Sequence, residues 1–239
     1  MEISEQLLYT TFPIIGNKSA GTCFIFRFSS GKIGIITNKH VIEKEDFVSI
    51  KFTTDNGVKQ IKINNPLSHF KFHQNEDVDL CILSISELIS YFQANGIKIN
   101  YRSIQQELIP TKQQKDLLLA VEEIVMLGCP DGIFDDVNNL PIYRRGITAS
   151  HVNKNFRSKQ EFLVDMACFN GSSGSPVFIL NQGTYADKKG ITTSTVPRIY
   201  FLGVLYAGPQ HYVNNNVSIP NNLGFVIKSE RILEMEHLI

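Results

Sequence analysis

Gly171-Ser172-Ser173-Gly174-Ser175-Pro176 sets a serine among small residues and closes the segment with a proline. Small neighbours let a backbone approach a ligand closely and aim its N–H groups at it. Alone, such a Gly/Ser cluster is an ordinary turn. Two upstream stretches change that reading. Ile35-Ile36-Thr37-Asn38-Lys39-His40-Val41-Ile42 puts a histidine at the end of an apolar, strand-like run. Asp77-Val78-Asp79-Leu80-Cys81-Ile82-Leu83 puts an aspartate at the start of another. A serine hydroxyl is a weak nucleophile and needs a base as it attacks. Imidazole, which titrates near about 6.5, suits that task, and a carboxylate fixes the tautomer of the base.

Each position has competitors. Ser172 and Ser175 flank Ser173. Asp77 stands two residues before Asp79, where the strand period gives it the same face, although the apolar run starts directly after Asp79. His69 and His73 lie in Ser68-His69-Phe70-Lys71-Phe72-His73, which alternates like a surface-facing strand. A metal site built on that pair would need more ligands than the adjacent Glu76 and Asp77, so no metal is expected.

The chain has 239 residues, enough for one large domain or two packed subdomains, with 43% apolar and 19% charged residues. This composition argues against disorder and against a membrane protein, and no apolar run reaches the length of a transmembrane helix. Net charge is +0 with both signs spread along the chain, unlike a general nucleic-acid binder. Met1-Glu2-Ile3-Ser4-Glu5-Gln6 shows no secretory signal, so a cytoplasmic location is expected. Cys23, Cys81, Cys129 and Cys168 lack pairing or metal-ligand spacing and read as buried free thiols.

Short β-branched and aromatic runs recur between turn signals, among them Cys23–Phe28, Val48–Thr53, Leu80–Ile85, Val177–Leu180 and Tyr200–Tyr206. They predict an all-β architecture, with hairpin turns at Ser29–Lys32 and Asp55–Gly57. Ser86–Phe92 reads as a short helix, and residues 93–119 run polar and Gln-rich. Residues 181–198 read as a hairpin or exposed loop, and Ser229–Glu234 as a capped helix start.

The three site blocks, with weaker echoes at Leu127–Pro130, Arg145–Ala149, Phe201–Val204 and Leu223–Ile227, resemble the trypsin-like (chymotrypsin-fold) serine proteases. Thr37–Ile42 is similar to the Thr-Asn-x-His-Val block of the bacterial high-temperature-requirement, or Deg-type, branch. Asp79–Leu83 and Gly171–Pro176 are similar to that branch's Asp and Ser blocks, with Ser172 and Ser175 as departures. The resemblance covers the protease domain only, over roughly residues 19–85 and 120–233.

The resemblance implies two antiparallel Greek-key β-barrels packed face to face, with a short C-terminal helix. Residues 1–85 would form the barrel carrying His and Asp, 86–119 a connector, and 120–239 the barrel carrying Ser and the specificity pocket. It implies His40 as base, Asp79 as orienting acid and Ser173 as nucleophile, with the N–H groups of Gly171 and Ser173 as oxyanion hole. Ala167 would lie at the pocket base, with Tyr206, Ala207, Gly208 and Gly224 as walls and Tyr206–Gly208 pairing with an extended substrate. No acid stands at Ala167, so a small or medium apolar side chain is expected before the scissile bond, with Asp165 nearby as the feature opposing this. In zymogen-activated relatives the position of Ser172 is an aspartate; its absence means no activation through a newly cut N-terminus is expected.

The implied function is a serine endopeptidase acting on a protein or peptide substrate through an acyl-enzyme, without a cofactor. The long connector suggests that a partner protein switches it on. The alternative is a catalytically silent protease-fold binding or scaffold module. A lipase or esterase is disfavoured because Pro176 and a strand, not a helix, follow the serine.

Overall fold

The structure is a computed structural model and describes residues 2–214 and 217–239. The N-terminal half starts with helix α1 (Ile3–Leu8), strands β1 (Thr11–Gly16), β2 (Ala20–Arg27) and β3 (Ile33–Thr37), and the short helix α2 (Lys39–Ile42). It continues through β4 (Phe47–Thr54), β5 (Gly57–Asn64), α3 (Pro66–His69), β6 (Lys71–Phe72) and β7 (Cys81–Ser84). Both anticipated hairpin turns are present, and Gly31 and Gly57 take φ of +93° and +92°, a region open to glycine at no steric cost.

Next come α4 (Ser86–Ala94), β8 (Ile99–Asn100), β9 (Ile104–Gln105) and α5 (Lys112–Leu117). The first sheet has nine strands, with hydrogen-bonded order β5-β4-β1-β2-β3-β7-β6, β8 on β4 and β9 on β2. Residues 99–105, expected in a connector, therefore add two short strands to this sheet, β9 parallel to β2. Two-residue strands carry too little periodicity to be read from sequence.

The C-terminal half holds β10 (Glu123–Gly128), β11 (Ile142–Thr148), β12 (Glu161–Asp165), β13 (Pro176–Asp187), β14 (Gly190–Ala207), β15 (Gln210–Asn214), β16 (Val217–Pro220), β17 (Leu223–Lys228) and helix α6 (Glu230–Leu233). Six of these strands close a barrel in the order β10-β11-β12-β17-β14-β13. The anticipated hairpin at 181–198 is the outer part of the long β13–β14 ribbon. The fold is all-β and chymotrypsin-like, with a short C-terminal helix.

One core cluster draws on both halves. Phe24, Phe26 and Ile36 of the first sheet pack with Leu127, Phe178 and Phe201 of the barrel. The rings of Phe24 and Phe201 meet edge-on at 5.5 Å, and those of Phe178 and Phe201 lie 5.3 Å apart. Each such fully buried phenylalanine contributes about 1.5–3 kcal/mol through desolvation, which locks the halves together.

One expectation is corrected. Ser68–His73 is not a continuous surface strand, because Pro66 starts a helical turn through His69, and only Lys71 and Phe72 pair as a strand. Proline is well suited to a first helical turn. His73 is buried, with 4% of its surface exposed.

Candidate active site

His40 enters the site on α2, one turn beyond β3, and Asp79 arrives on the loop before β7. Strands β3 and β7 pair directly, with Thr37 opposite Cys81, which brings the two side chains together. His40 Nδ1 lies 2.5 Å from Asp79 Oδ2, and the backbone N–H of His40 donates to Asp79 Oδ1 at 3.1 Å. Buried Asn38 secures the loop by donating from Nδ2 to the Asp79 carbonyl at 2.6 Å. A carboxylate gripping both the ring and the backbone of a histidine fixes which ring nitrogen carries the proton. The competing Asp77 is exposed and takes part in a local turn, its N–H donating to Asn75 Oδ1.

The serine segment sits between β12 and β13, across the junction of the halves. Of its three serines, Ser172 and Ser175 are buried with unpartnered hydroxyls among the described residues, whereas Ser173 is half-buried. The Ser173 hydroxyl donates to the Tyr206 carbonyl at 3.3 Å, and among the described residues it makes no hydrogen bond to His40. The N–H groups of Gly171 and Ser173 donate to no acceptor among the described residues, while Ser172, Gly174 and Ser175 all donate within the fold. An oxyanion needs N–H groups left free of other acceptors, and these two, one of them the serine's own, meet that condition.

Thr22, in the middle of β2, holds this segment in place. Its hydroxyl donates to the Gly171 carbonyl at 2.9 Å and accepts the Cys129 N–H at 3.0 Å. Its own N–H donates to the Ser173 carbonyl at 2.8 Å, and its carbonyl accepts the Thr37 hydroxyl at 2.7 Å. Gly171 and Gly174 have φ of +81° and +89°. A Cβ at Gly174 would stand 1.9 Å from the Thr22 carbonyl oxygen, and one at Gly171 2.5 Å from that of Cys129. Both glycines are therefore demanded by conformation and by close approach.

With this geometry in view, the comparison with known families is decisive. The sequence model of the trypsin-like peptidase domain matches residues 21–185. The chain belongs to the trypsin-like peptidase family. No curated protein sequence matches it. Among solved structures it is similar to the MamO protease domain from Magnetospirillum magneticum, at 11% identity and a TM-score of 0.51, covering 97% of each chain. It is also similar to a serine endoprotease from Yersinia pestis, at 14% identity and a TM-score of 0.55, covering 98% of this chain and 64% of that one. A third similar structure is the inactive form of Rv3671c protease from M. tuberculosis, at 13% identity and a TM-score of 0.51, covering 98% of this chain and 91% of that one. Identities this low speak for the fold alone.

Beside Ser173 this trypsin-like chain has a cavity of about 230 Å³, with Cys168, Leu205, Ala207 and Gly208 in its lining. Of the expected pocket residues, Ala207 and Gly208 line it, whereas Ala167, Tyr206 and Gly224 stand outside the lining. Cys168, the residue after Ala167, does line it. Gly224 lies behind it, where a Cβ would come 2.8 Å from Cys168 Sγ. Asp165 is exposed and also lies outside the lining. Tyr206 directs its hydroxyl to buried Glu161 at 3.0 Å.

Burial pushes the Cys168 thiol up to about 11 and that of Cys129 to about 12, so both stay protonated beside the serine. All four cysteines are free and buried. No group of three or more His, Cys, Asp or Glu suited to a metal occurs among the described residues. No helix among them is long and apolar enough to cross a membrane.

Two residues at the site escaped the sequence reading. Thr22 is a hydroxyl residue inside an apolar strand, and its burial there was the signal that it served a hydrogen-bond network. Asp131 lines the cavity at an exposed position with φ of +50°, and its N–H donates to the Asn170 carbonyl at 2.5 Å. It falls in a turn with no strand or helix pattern of its own, so nothing local connected it with Ser173.

Proposed function

We propose that this chain is a serine endopeptidase using Ser173, His40 and Asp79. The observation that carries the reading is the short His40–Asp79 contact, set across the junction from Ser173, whose own N–H and that of Gly171 have no acceptor among the described residues. In attack, the Ser173 hydroxyl exchanges the Tyr206 carbonyl for Nε2 of His40, which takes the proton as Oγ bonds to the substrate carbonyl carbon. The developing oxyanion accepts hydrogen bonds from Gly171 and Ser173, and Asp79 stabilises the imidazolium. His40 then protonates the departing amine, leaving an acyl-enzyme that water hydrolyses by the same steps in reverse. An extended protein or peptide substrate would pair along Tyr206–Gly208, with a small or medium apolar side chain entering the cavity beside Leu205 and Ala207. Free buried cysteines fit a reducing compartment, and a cytoplasmic location belongs to the same proposal.

One observation favours a second reading. The serine hydroxyl rests on the Tyr206 carbonyl and not on His40, as it would in a latent enzyme awaiting a partner protein or in a silent scaffold. Covalent labelling with a fluorophosphonate probe separates the readings. Labelling abolished by both Ser173→Ala and His40→Ala is expected for the endopeptidase. A native chain that stays unlabelled and cleaves no peptide would overturn that assignment and leave the latent or scaffold form.

A further inference from the structure

Away from the serine site, α1, the end of β2 and the segment carrying β8 and β9 enclose a cavity of about 520 Å³. Two arginines line it, Arg27 from the last position of β2 and Arg102 from the segment between β8 and β9. Both are held by backbone pairing. Arg27 is in register with Gln105 of β9, and the N–H of Arg102 donates to the Tyr9 carbonyl at 2.9 Å. Neither guanidinium has an ion-pair or side-chain hydrogen-bond partner among the described residues. Nor does any carboxylate occur in the described lining. Elsewhere Arg145, Arg198 and Arg231 are paired with Glu123, Glu122 and Glu234, and Arg144 and Arg157 lie over the rings of Phe169 and Phe156. Two like charges on one concave wall concentrate positive potential where an anion would relieve it, and guanidinium matches a carboxylate in planar, two-point fashion.

The rest of the lining is mixed, with polar Gln6, Thr10, Ser103 and Gln105 beside an apolar group. Ile3 and Leu7, one helical turn apart on α1, line it with Ile99 and Leu108. The volume lies within the range for organic ligands and far exceeds what an inorganic ion needs. A second cavity of about 230 Å³ shares Tyr101 and Arg102 with the first, so the concave surface continues past the second arginine. We propose that this cavity binds a small organic carboxylate, its anionic end on Arg27 and Arg102 and its apolar body against Ile3, Leu7, Ile99 and Leu108.

Calorimetric titration of the full chain with hexanoate tests this, with hexanamide as the uncharged match and inorganic phosphate as the bare anion. Saturable hexanoate binding is expected, with hexanamide and phosphate each at least tenfold weaker. Arg27→Gln and Arg102→Gln should each weaken hexanoate at least tenfold while circular dichroism and the thermal midpoint stay unchanged. Absence of saturable binding, equal binding of hexanamide, or full binding by both variants would overturn the proposal. Equal binding of phosphate would remove the apolar half of it. A tetrapeptide ending in a free leucine carboxylate that binds tighter at the same arginines would replace the small acid with a chain terminus. The site is independent of the serine chemistry, so fluorophosphonate labelling should be the same in the Arg27 and Arg102 variants as in the native chain.

Discussion

The two halves of the candidate active site are built in different ways. His40 and Asp79 both belong to the first sheet, are brought together by directly paired strands, and already touch at 2.5 Å. The serine segment belongs to the other half and takes its shape from Thr22, whose hydroxyl reaches a carbonyl 149 residues away in sequence. The Ser173 hydroxyl is turned to the Tyr206 carbonyl. The His40–Asp79 pair is thus assembled within one half, while the Ser173 turn depends on how the halves dock.

The largest effect should come from the assembled pair. Asp79→Asn leaves the shape intact but removes the carboxylate that fixes the tautomer, and the fluorophosphonate labelling rate should fall by about 10⁴-fold. A variant labelling at the native rate would show that the pair is not a working base. The next effect probes the docked half. Gly174→Ala must move the Thr22 carbonyl or the turn itself, and labelling should fall by roughly a hundredfold as an oxyanion donor is displaced. Retention of His40–Asp79 geometry in its structure, seen by crystallography, would sharpen the contrast between the halves.

Thr22→Val keeps the strand and its backbone bonds but strips the hydroxyl from the Gly171 carbonyl and the Cys129 N–H. Two buried groups then lack partners, and chemical denaturation should report a loss of about 1–3 kcal/mol. Labelling should slow more than the stability loss alone explains, because the same bonds place the oxyanion donors. Unchanged labelling would mean the turn holds itself without the junction.

The smallest effect concerns the Asp79 loop. Burial holds His73 below the usual imidazole range, reinforced by the Arg231 charge and opposed by Glu234. His73 Nδ1 accepts the Asn75 N–H at 3.0 Å, and Nε2 lies 3.2 Å from Glu234 Oε2, off the line of a hydrogen bond. Because the folded-state pKa is depressed, the unfolded chain binds the proton first as pH falls. Stability from this group is present above about 6.5 and is lost below it toward the folded-state value. His73→Gln should flatten the slope of stability against pH below about 6.5, measured by urea unfolding at several pH values. An unaltered slope would assign the acid sensitivity to other groups, His151 among them, since burial also lowers its pKa.

Chain-local chemistry made much of this molecule legible. Apolar β-branched runs with Gly and Asn turns announce the strands and hairpins, and a serine framed by glycines and closed by proline announces a tight turn. The order His40, Asp79, Ser173 needs no structure to be seen. The presence of Cys168 and not Ala167 in the cavity wall, the burial of His73 and the place of Asp131 in the cavity lining were not legible, because each depends on which face of a turn meets another element. Thr22 is the sharpest case. Its strand propensity is readable from its neighbours, but its hydrogen bonds join residues far apart in sequence and exist only when the halves dock. The sequence by itself therefore determined the all-β class, the order of the candidate site residues and the turn carrying Ser173, since these rest on backbone preferences a few residues long. Only the tertiary structure decided where the serine hydroxyl points, what lines the cavity and that Arg27 and Arg102 share one, because these follow from long-range packing and desolvation.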